Sequence, residues 1–263
     1  MGIVNVTPDS FSDGGRFSAP DDAVEHGLAL VAEGADILDV GGESTRPGSD
    51  AVPASEEIAR VLPVIGRLTE ALPSTPISID TRKAEVAEAA LRAGARIVND
   101  ISAGSDAGMF AAVKAADAGM VLMHMQGDPK TMQLDPQYDD VVAEVRDFLA
   151  ARIGAAVASG IHRDRLCVDP GVGFGKGFTH NLELLRSIGG FAELRVPVLV
   201  GVSRKRFLGE LSGVEDPADR VGGTAGAVAW CVAQGVDVVR VHDVREIARA
   251  VRVVDAIVRG FVT

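Results

Sequence analysis

Pro197-Val198-Leu199-Val200-Gly201-Val202 runs directly into Ser203-Arg204-Lys205-Arg206-Phe207-Leu208-Gly209. The first half is apolar and β-branched, as a strand buried on both faces requires. It gives way to cations without a linker, so this strand ends in charge at one rim of a sheet. A single polar strand end is ordinary. The same arrangement recurs along the chain, and the recurrence decides the fold.

Working outward, apolar patterning predicts strands over 2–6, 36–40, 77–80, 96–100, 120–124, 166–169, 198–202 and 236–241. Helical periodicity falls between them, over 22–33, 55–72, 83–93, 109–117, 141–158, 181–188, 218–233 and 246–258. Asp21 or Asp22 and Ser55 are candidate caps, and Glu56 and Glu57 sit favourably against a helix dipole. Gly34, Gly94, Gly119, Gly160 and Gly235 each end a helix just before a strand. Strict strand–helix alternation argues a parallel sheet. Eight such units in 263 residues match a (β/α)8 TIM barrel, one domain spanning 1–263. A doubly wound sheet is the alternative, but Asn5-Val6-Thr7-Pro8 after the first strand is no G-x-G-x-x-G turn.

A net charge of −11 argues against a nucleic-acid partner, which needs a basic face. There is no run of 18 apolar residues to span a membrane and no basic-then-apolar leader. Met1-Gly2 lacks the Ser or Thr at position 6 of a myristoylation start; Val6 stands there. Cys167 and Cys231 lie in apolar sequence and read as core thiols of a reducing, cytoplasmic compartment. The five histidines, His26, His124, His162, His180 and His242, have no zinc spacing.

Residues closing the predicted strands are Asn5, Asp39, Asp80, Asn99, His124, Asp169, Ser203 with Lys205, and Arg240 with His242. In a barrel they meet at the C-terminal mouth, where such enzymes place their sites. Asp80, Asn99 and Asp169 accept from a flat, nitrogen-rich ring, and Lys205 donates to a ring carbonyl. Met123 and Phe174 pack on the ring's faces. Arg46, Arg240, His242 and Asn5 suit an anion such as diphosphate. Pro170-Gly171-Val172-Gly173-Phe174-Gly175-Lys176 is not G-x-x-x-x-G-K-[ST], because Gly177 follows the lysine. It reads as a mobile loop shaping the pocket, not an ATP cradle.

Asn5-Val6-Thr7-Pro8-Asp9-Ser10-Phe11-Ser12-Asp13-Gly14-Gly15 and Asp39-Val40-Gly41-Gly42-Glu43-Ser44-Thr45-Arg46-Pro47-Gly48 resemble the two long signatures of the dihydropteroate synthase family. Ile79-Asp80-Thr81, Val98-Asn99-Asp100-Ile101-Ser102, Leu122-Met123-His124-Met125, Asp169-Pro170-Gly171, Val202-Ser203-Arg204-Lys205 and Arg240-Val241-His242-Asp243 continue the resemblance in order. It spans essentially the whole chain. It implies joining of a hydroxymethyl-dihydropterin diphosphate to para-aminobenzoate, the folate-pathway step blocked by sulfonamides.

By that resemblance, Asp80, Asn99, Ile101, Met123, Asp169, Phe174, Gly201 and Lys205 hold the pterin. Asn5, Thr45, Arg46, Arg240 and His242 hold the diphosphate, Asn5 through Mg2+. Phe11, Pro47, Phe174, Lys205 and Arg206 line the aminobenzoate pocket, and Lys205, Arg46 and Asp80 carry catalysis. Loss of diphosphate ahead of amine attack needs no strong base or covalent nucleophile, and no triad is visible. Arg206 stands where many relatives have a serine, and relatives usually carry residues ahead of the first strand, which here begins at Gly2. A pterin-binding methyltransferase or an inactive paralogue are the competing functions. A homodimer through the last helices is a family expectation; Val251, Val254 and Val258 form one apolar stripe, which packing onto the barrel would equally explain.

Overall fold

The computed structural model describes residues 1–6, 19–44 and 48–260. Phe11, Thr45, Arg46 and Pro47, which the sequence assigned to the site, lie outside the described residues. Six strands pair in chain order, all parallel: β1 (Gly2–Asn5), β2 (Leu38–Gly41), β3 (Ile77–Asp80), β4 (Ile97–Asp100), β5 (Gly119–Met123) and β6 (Leu166–Asp169). Two shorter strands, β7 (Leu199–Val200) and β8 (Val238–Val239), pair with each other. Single bridges close the circle, Val168 to Val198 and Gly2 to Val241. The Ile3 amide donates to the Val241 carbonyl at 3.1 Å and the Val241 amide to that of Met1 at 3.0 Å. Sequential order with closure makes an eight-stranded barrel and excludes a doubly wound sheet.

Around it run α1 (Ala19–Ala32), α2 (Ala54–Ala71), α3 (Ala84–Arg92), α4 (Met109–Ala115), α5 (Val141–Ala158), α6 (Phe178–Arg186), α7 (Arg206–Ser212), α8 (Val221–Ala233) and α9 (Val244–Arg259). None of the described helices is long and apolar enough to cross a membrane. Because helices cover the outside and side chains fill the inside, every residue of β2 and β3 is buried. Leu38, Val40, Ile77, Ile79, Val98, Leu122 and Val168 form this core with Val61, Ile65, Leu68 and Val145 of the helices. Each such side chain contributes about 1.5–3 kcal/mol on burial, so the frame is rigid enough to hold polar groups at its mouth.

Three local expectations are corrected. Gly119 opens β5 and does not end α4; Asp117, at φ 48°, takes the left-handed turn there. Pro53, not Ser55, precedes α2 and offers no side-chain cap, whereas Asp140 caps α5 through the amides of Val142 and Ala143. The seventh unit holds two helices, α7 as well as α8, because the chain turns sharply after β7. That turn, with the Lys205 amide on the Val202 carbonyl at 3.3 Å, also shortens β7 below the predicted 198–202.

Candidate active site

Strand register assembles the mouth. Asn5 pairs with Gly41, Gly41 with Asp80, and Asp80 with Asn99, so three polar residues from β1, β3 and β4 share one rung. Met123 pairs with Asp169 across β5 and β6. Asp80, Asn99, Met123 and Asp169 are all buried, as is Ile101 just beyond β4. The register is fixed because a one-residue slip would turn these groups into the helix-facing core.

Arg240, at the end of β8, reaches across the barrel. Its Nε donates to Asp39 Oδ2 at 2.6 Å and its Nη2 to Asp80 Oδ2 at 2.7 Å. Asn99 Nδ2 donates to the same Asp39 oxygen at 2.9 Å. Burial works against the Arg240 charge, but Asp39 and Asp80 outweigh it and hold its pKa above the ordinary value. For Asp80, burial dominates: it pushes the carboxyl up to about 7, with Arg240 opposing and Asp39 adding to the rise. Burial likewise raises Asp169, against the attraction of Lys205.

Lys205 stands at the foot of α7. Its Nζ donates to the Val172 carbonyl and lies 4.5 Å from the centre of the Phe174 ring. Burial brings its pKa down to about 8, with Asp169 resisting and Arg240 assisting. The next strand end is tied in by hydroxyl: the His242 amide donates to Ser203 Oγ at 3.2 Å, and His242 Nδ1 lies 3.0 Å from the same oxygen. Gly201 lies beside Arg240 and leaves its neighbourhood open; a Cβ there would approach the Arg240 Cβ no closer than 3.9 Å. Arg206 stands apart from this group. It opens α7 with its side chain 90% exposed and pairs with Glu210 one turn on, at 2.7 Å.

The glycine-rich loop after β6 is hydrogen-bonded along its length. The Gly171 amide donates to Asp169 Oδ1 at 2.7 Å, the Gly173 amide to Asn181 Oδ1 at 2.6 Å, and Tyr138 Oη to the Gly175 carbonyl at 2.7 Å. Gly171 has φ 70°, and a Cβ there would fall 1.8 Å from the His124 carbonyl oxygen. Only glycine fits, for want of both backbone freedom and space.

Asp39 is the central residue that the sequence reading left without a role. It is fully buried and organises both Asn99 and Arg240. An aspartate in the middle of the apolar run Leu38-Asp39-Val40 is the signal that marks it. A second missed group lies at the neighbouring loop bases, where Lys83 pairs with both Glu43 and buried Glu57, and Arg82 with Glu43 at 3.2 Å. It ties the loop after β2 to the loop after β3. Among the described residues no group of three or more His, Cys, Asp or Glu could hold a metal ion.

A carboxylate-and-amide floor opposite a cationic rim, at a barrel mouth, suits a neutral nitrogen-rich ring carrying an anionic group. Known proteins resemble this chain along nearly its whole length. The model of the pterin binding enzyme family matches residues 1–242. The dihydropteroate synthase of Escherichia coli strain K12 is 45% identical over 256 residues, 97% of this chain and 90% of that protein. Among solved structures, the dihydropteroate synthase of Xanthomonas albilineans with 4-aminobenzoic acid superposes with a TM-score of 0.93 at 51% identity, covering 97% of this chain and 91% of the other. The same enzyme in complex with 7,8-dihydropteroate gives 0.89 at 47%, covering 97% and 92%. Matched along nearly its whole length in sequence and fold, the chain belongs to the dihydropteroate synthase family of pterin-binding enzymes.

Proposed function

We propose that this chain condenses 6-hydroxymethyl-7,8-dihydropterin diphosphate with para-aminobenzoate, giving 7,8-dihydropteroate and diphosphate in folate biosynthesis. The observation that carries the reading is the facing of Asp80, Asn99 and Asp169 by Lys205, Arg240 and His242 at one mouth. The compounds bound to the Xanthomonas albilineans relatives, an amine substrate and a dihydropteroate, support it. Synthase relatives also favour it over a methyltransferase.

Asp169 and Asn99 take the donor edge of the pterin, with Met123, Ile101 and Phe174 against its faces and Gly201 leaving room beside it. Lys205 moves its donor from the Val172 carbonyl to the ring carbonyl side and fixes the ring's orientation. Arg240 and His242 gather the diphosphate, together with Thr45 and Arg46. Phe11, Pro47 and Phe174 enclose the aminobenzoate. Arg206, turned to solvent and paired with Glu210, takes no part in this assignment.

Asn5 offers one neutral amide oxygen at the end of β1 and would hold Mg2+, a cation that takes oxygen ligands. Held there, Mg2+ would supply neutralisation of charge on the leaving diphosphate. Cleavage of the C–O bond runs ahead of amine attack, and buried Asp80 and Asp169 favour the pterin-methylene cation so formed. The arylamine then attacks as a neutral nucleophile and loses its proton to solvent, which accounts for a site without a triad.

Cys167 and Cys231, neither in a disulfide, support a reducing, cytoplasmic setting. Val251 and Val254 pack onto the barrel, so the exposed apolar residues of α9 are Val253, Ile257 and Val258; they support a homodimer, testable by sedimentation. The decisive experiment supplies both substrates and Mg2+ and follows dihydropteroate. A folded chain that forms none refutes the function. Slow diphosphate release without the amine is expected; release that strictly requires the amine, with a rate tracking amine basicity, makes the displacement concerted.

A further inference from the structure

The mechanism leaves one buried cation without a task. Lys176 is 2% exposed and lies at the end of the glycine-rich loop. Its Nζ lies 2.9 Å from His124 Nδ1, and it donates to the Phe174 carbonyl at 2.9 Å and towards the His124 carbonyl at 3.4 Å. Three partners match the three donors of an ammonium. The loop is wrapped around its own lysine: Gly171, Gly173 and Gly175 have φ of 70°, 84° and 60°, turning successive carbonyls inward and outward. The His124 ring is itself held edge-on by Phe148, with centroids 4.9 Å apart. The outward face of the same loop presents the Val172 carbonyl and the Phe174 ring to Lys205.

We propose that Lys176 is a positioning residue for the pterin site, an internal stake that fixes the 171–175 loop against His124 so that Val172 and Phe174 set the place of Lys205. This rests on the functional reading of Lys205 and Phe174 given above. Lys176 touches neither substrate; it acts through the loop. The buried position is costly for a cation, and a surface tether such as Tyr138 on Gly175 would hold the loop without it, so its retention inside marks a demand for precision at Lys205.

The test is Lys176→Met in the full chain, which keeps volume and removes all donors. Amide exchange at Gly173, whose N–H donates to Asn181 Oδ1 on α6, and at Phe174, whose N–H donates to the Gly171 carbonyl, should quicken about tenfold or more, while β2 and β3 keep their protection. KM for the pterin diphosphate should rise about tenfold with a smaller change in kcat, because ring placement is what suffers. In the wild-type chain, slowly exchanging Lys176 Nζ protons should correlate with His124 Nδ1 by NMR, and this arm decides the matter if the variant does not fold. Unchanged exchange and KM in a folded variant, or no Lys176–His124 correlation in the wild type, overturns the inference. Absence of product from the wild type would instead overturn the function, leaving the exchange and NMR arms to judge Lys176.

Discussion

The two sides of the barrel are built differently. From β1 to β6 the strands are four or five residues long, pair without interruption, and carry Asn5, Asp80 and Asp169 as last residues and Asn99 one residue before the end of β4. From β7 to β8 they are two residues long and end in turns that carry Lys205, Arg240 and His242. The acceptor wall is placed by backbone register. The cationic wall is placed by side chains: Arg240 on Asp39 and Asp80, Lys205 on Val172, His242 on Ser203, and Arg204 on Asp243. A two-residue ladder cannot aim long cationic side chains; the opposite wall aims Arg240 and Lys205, while His242 and Arg204 are held by partners beside β7 and β8. Asp39 and Asp80 of the first wall thereby anchor Arg240 of the second.

Removing the link between the walls should have the largest effect. Arg240→Met leaves Asp39 and Asp80 buried without their partner and should cost about 3–5 kcal/mol of stability by urea unfolding. A loss below about 1 kcal/mol would mean that the two walls are placed independently.

Asp80 gives the comparison a pH dependence. Its carboxyl titrates near 7 in the folded chain and at its ordinary 3.8 unfolded, so the folded state holds the proton more tightly. The stability it contributes is full below about pH 3.8 and is lost as pH rises to about 7. Compared with Asp80→Asn, wild type should lose up to about 1.4 kcal/mol per pH unit across that window. A stability difference that is flat from pH 4 to 7 would place Asp80 among ordinary carboxylates.

Lys205 probes the cationic wall alone. Lys205→Arg should lower kcat/KM about 10²–10³-fold with the fold intact, since a planar fork cannot replace a compact donor. The wild-type lysine loses its charge above about pH 8, so its alkaline activity limb should start there and be absent from the variant's profile. Wild-type activity that holds to pH 10 would contradict a charged donor.

Asp169→Asn tests the acceptor wall by exchanging an acceptor for a mixed group, and should weaken pterin binding by about 1–3 kcal/mol in calorimetry. Equal affinity in a folded variant would move the ring off Asp169. The smallest effect belongs to Ser203→Ala, which removes the hydroxyl under His242 and should cost about 1 kcal/mol of diphosphate affinity. An unchanged titration would leave His242 held by its other contacts.

By itself the sequence determined the alternation of strand and helix, the barrel, and the rim positions of Asn5, Asp80, Asn99, Asp169, Lys205 and Arg240. The reason is that parallel strands buried on both faces read as apolar runs, and the polar residue that stops each run is by construction a rim residue. Ile77–Asp80 and Leu166–Asp169 were legible to the residue on that ground. Tertiary structure alone decided which rim residues touch. Arg240 meets Asp80 across 160 positions of chain and Asp39 across 201, and no local pattern encodes such pairings. It also separated residues that neighbour one another in sequence: the turn after Val202 sends Lys205 into the site and Arg206 out to Glu210. And it decided what the glycine-rich loop contacts: glycine content measures the freedom of an isolated backbone and does not encode that the Phe174 carbonyl accepts from the buried Lys176.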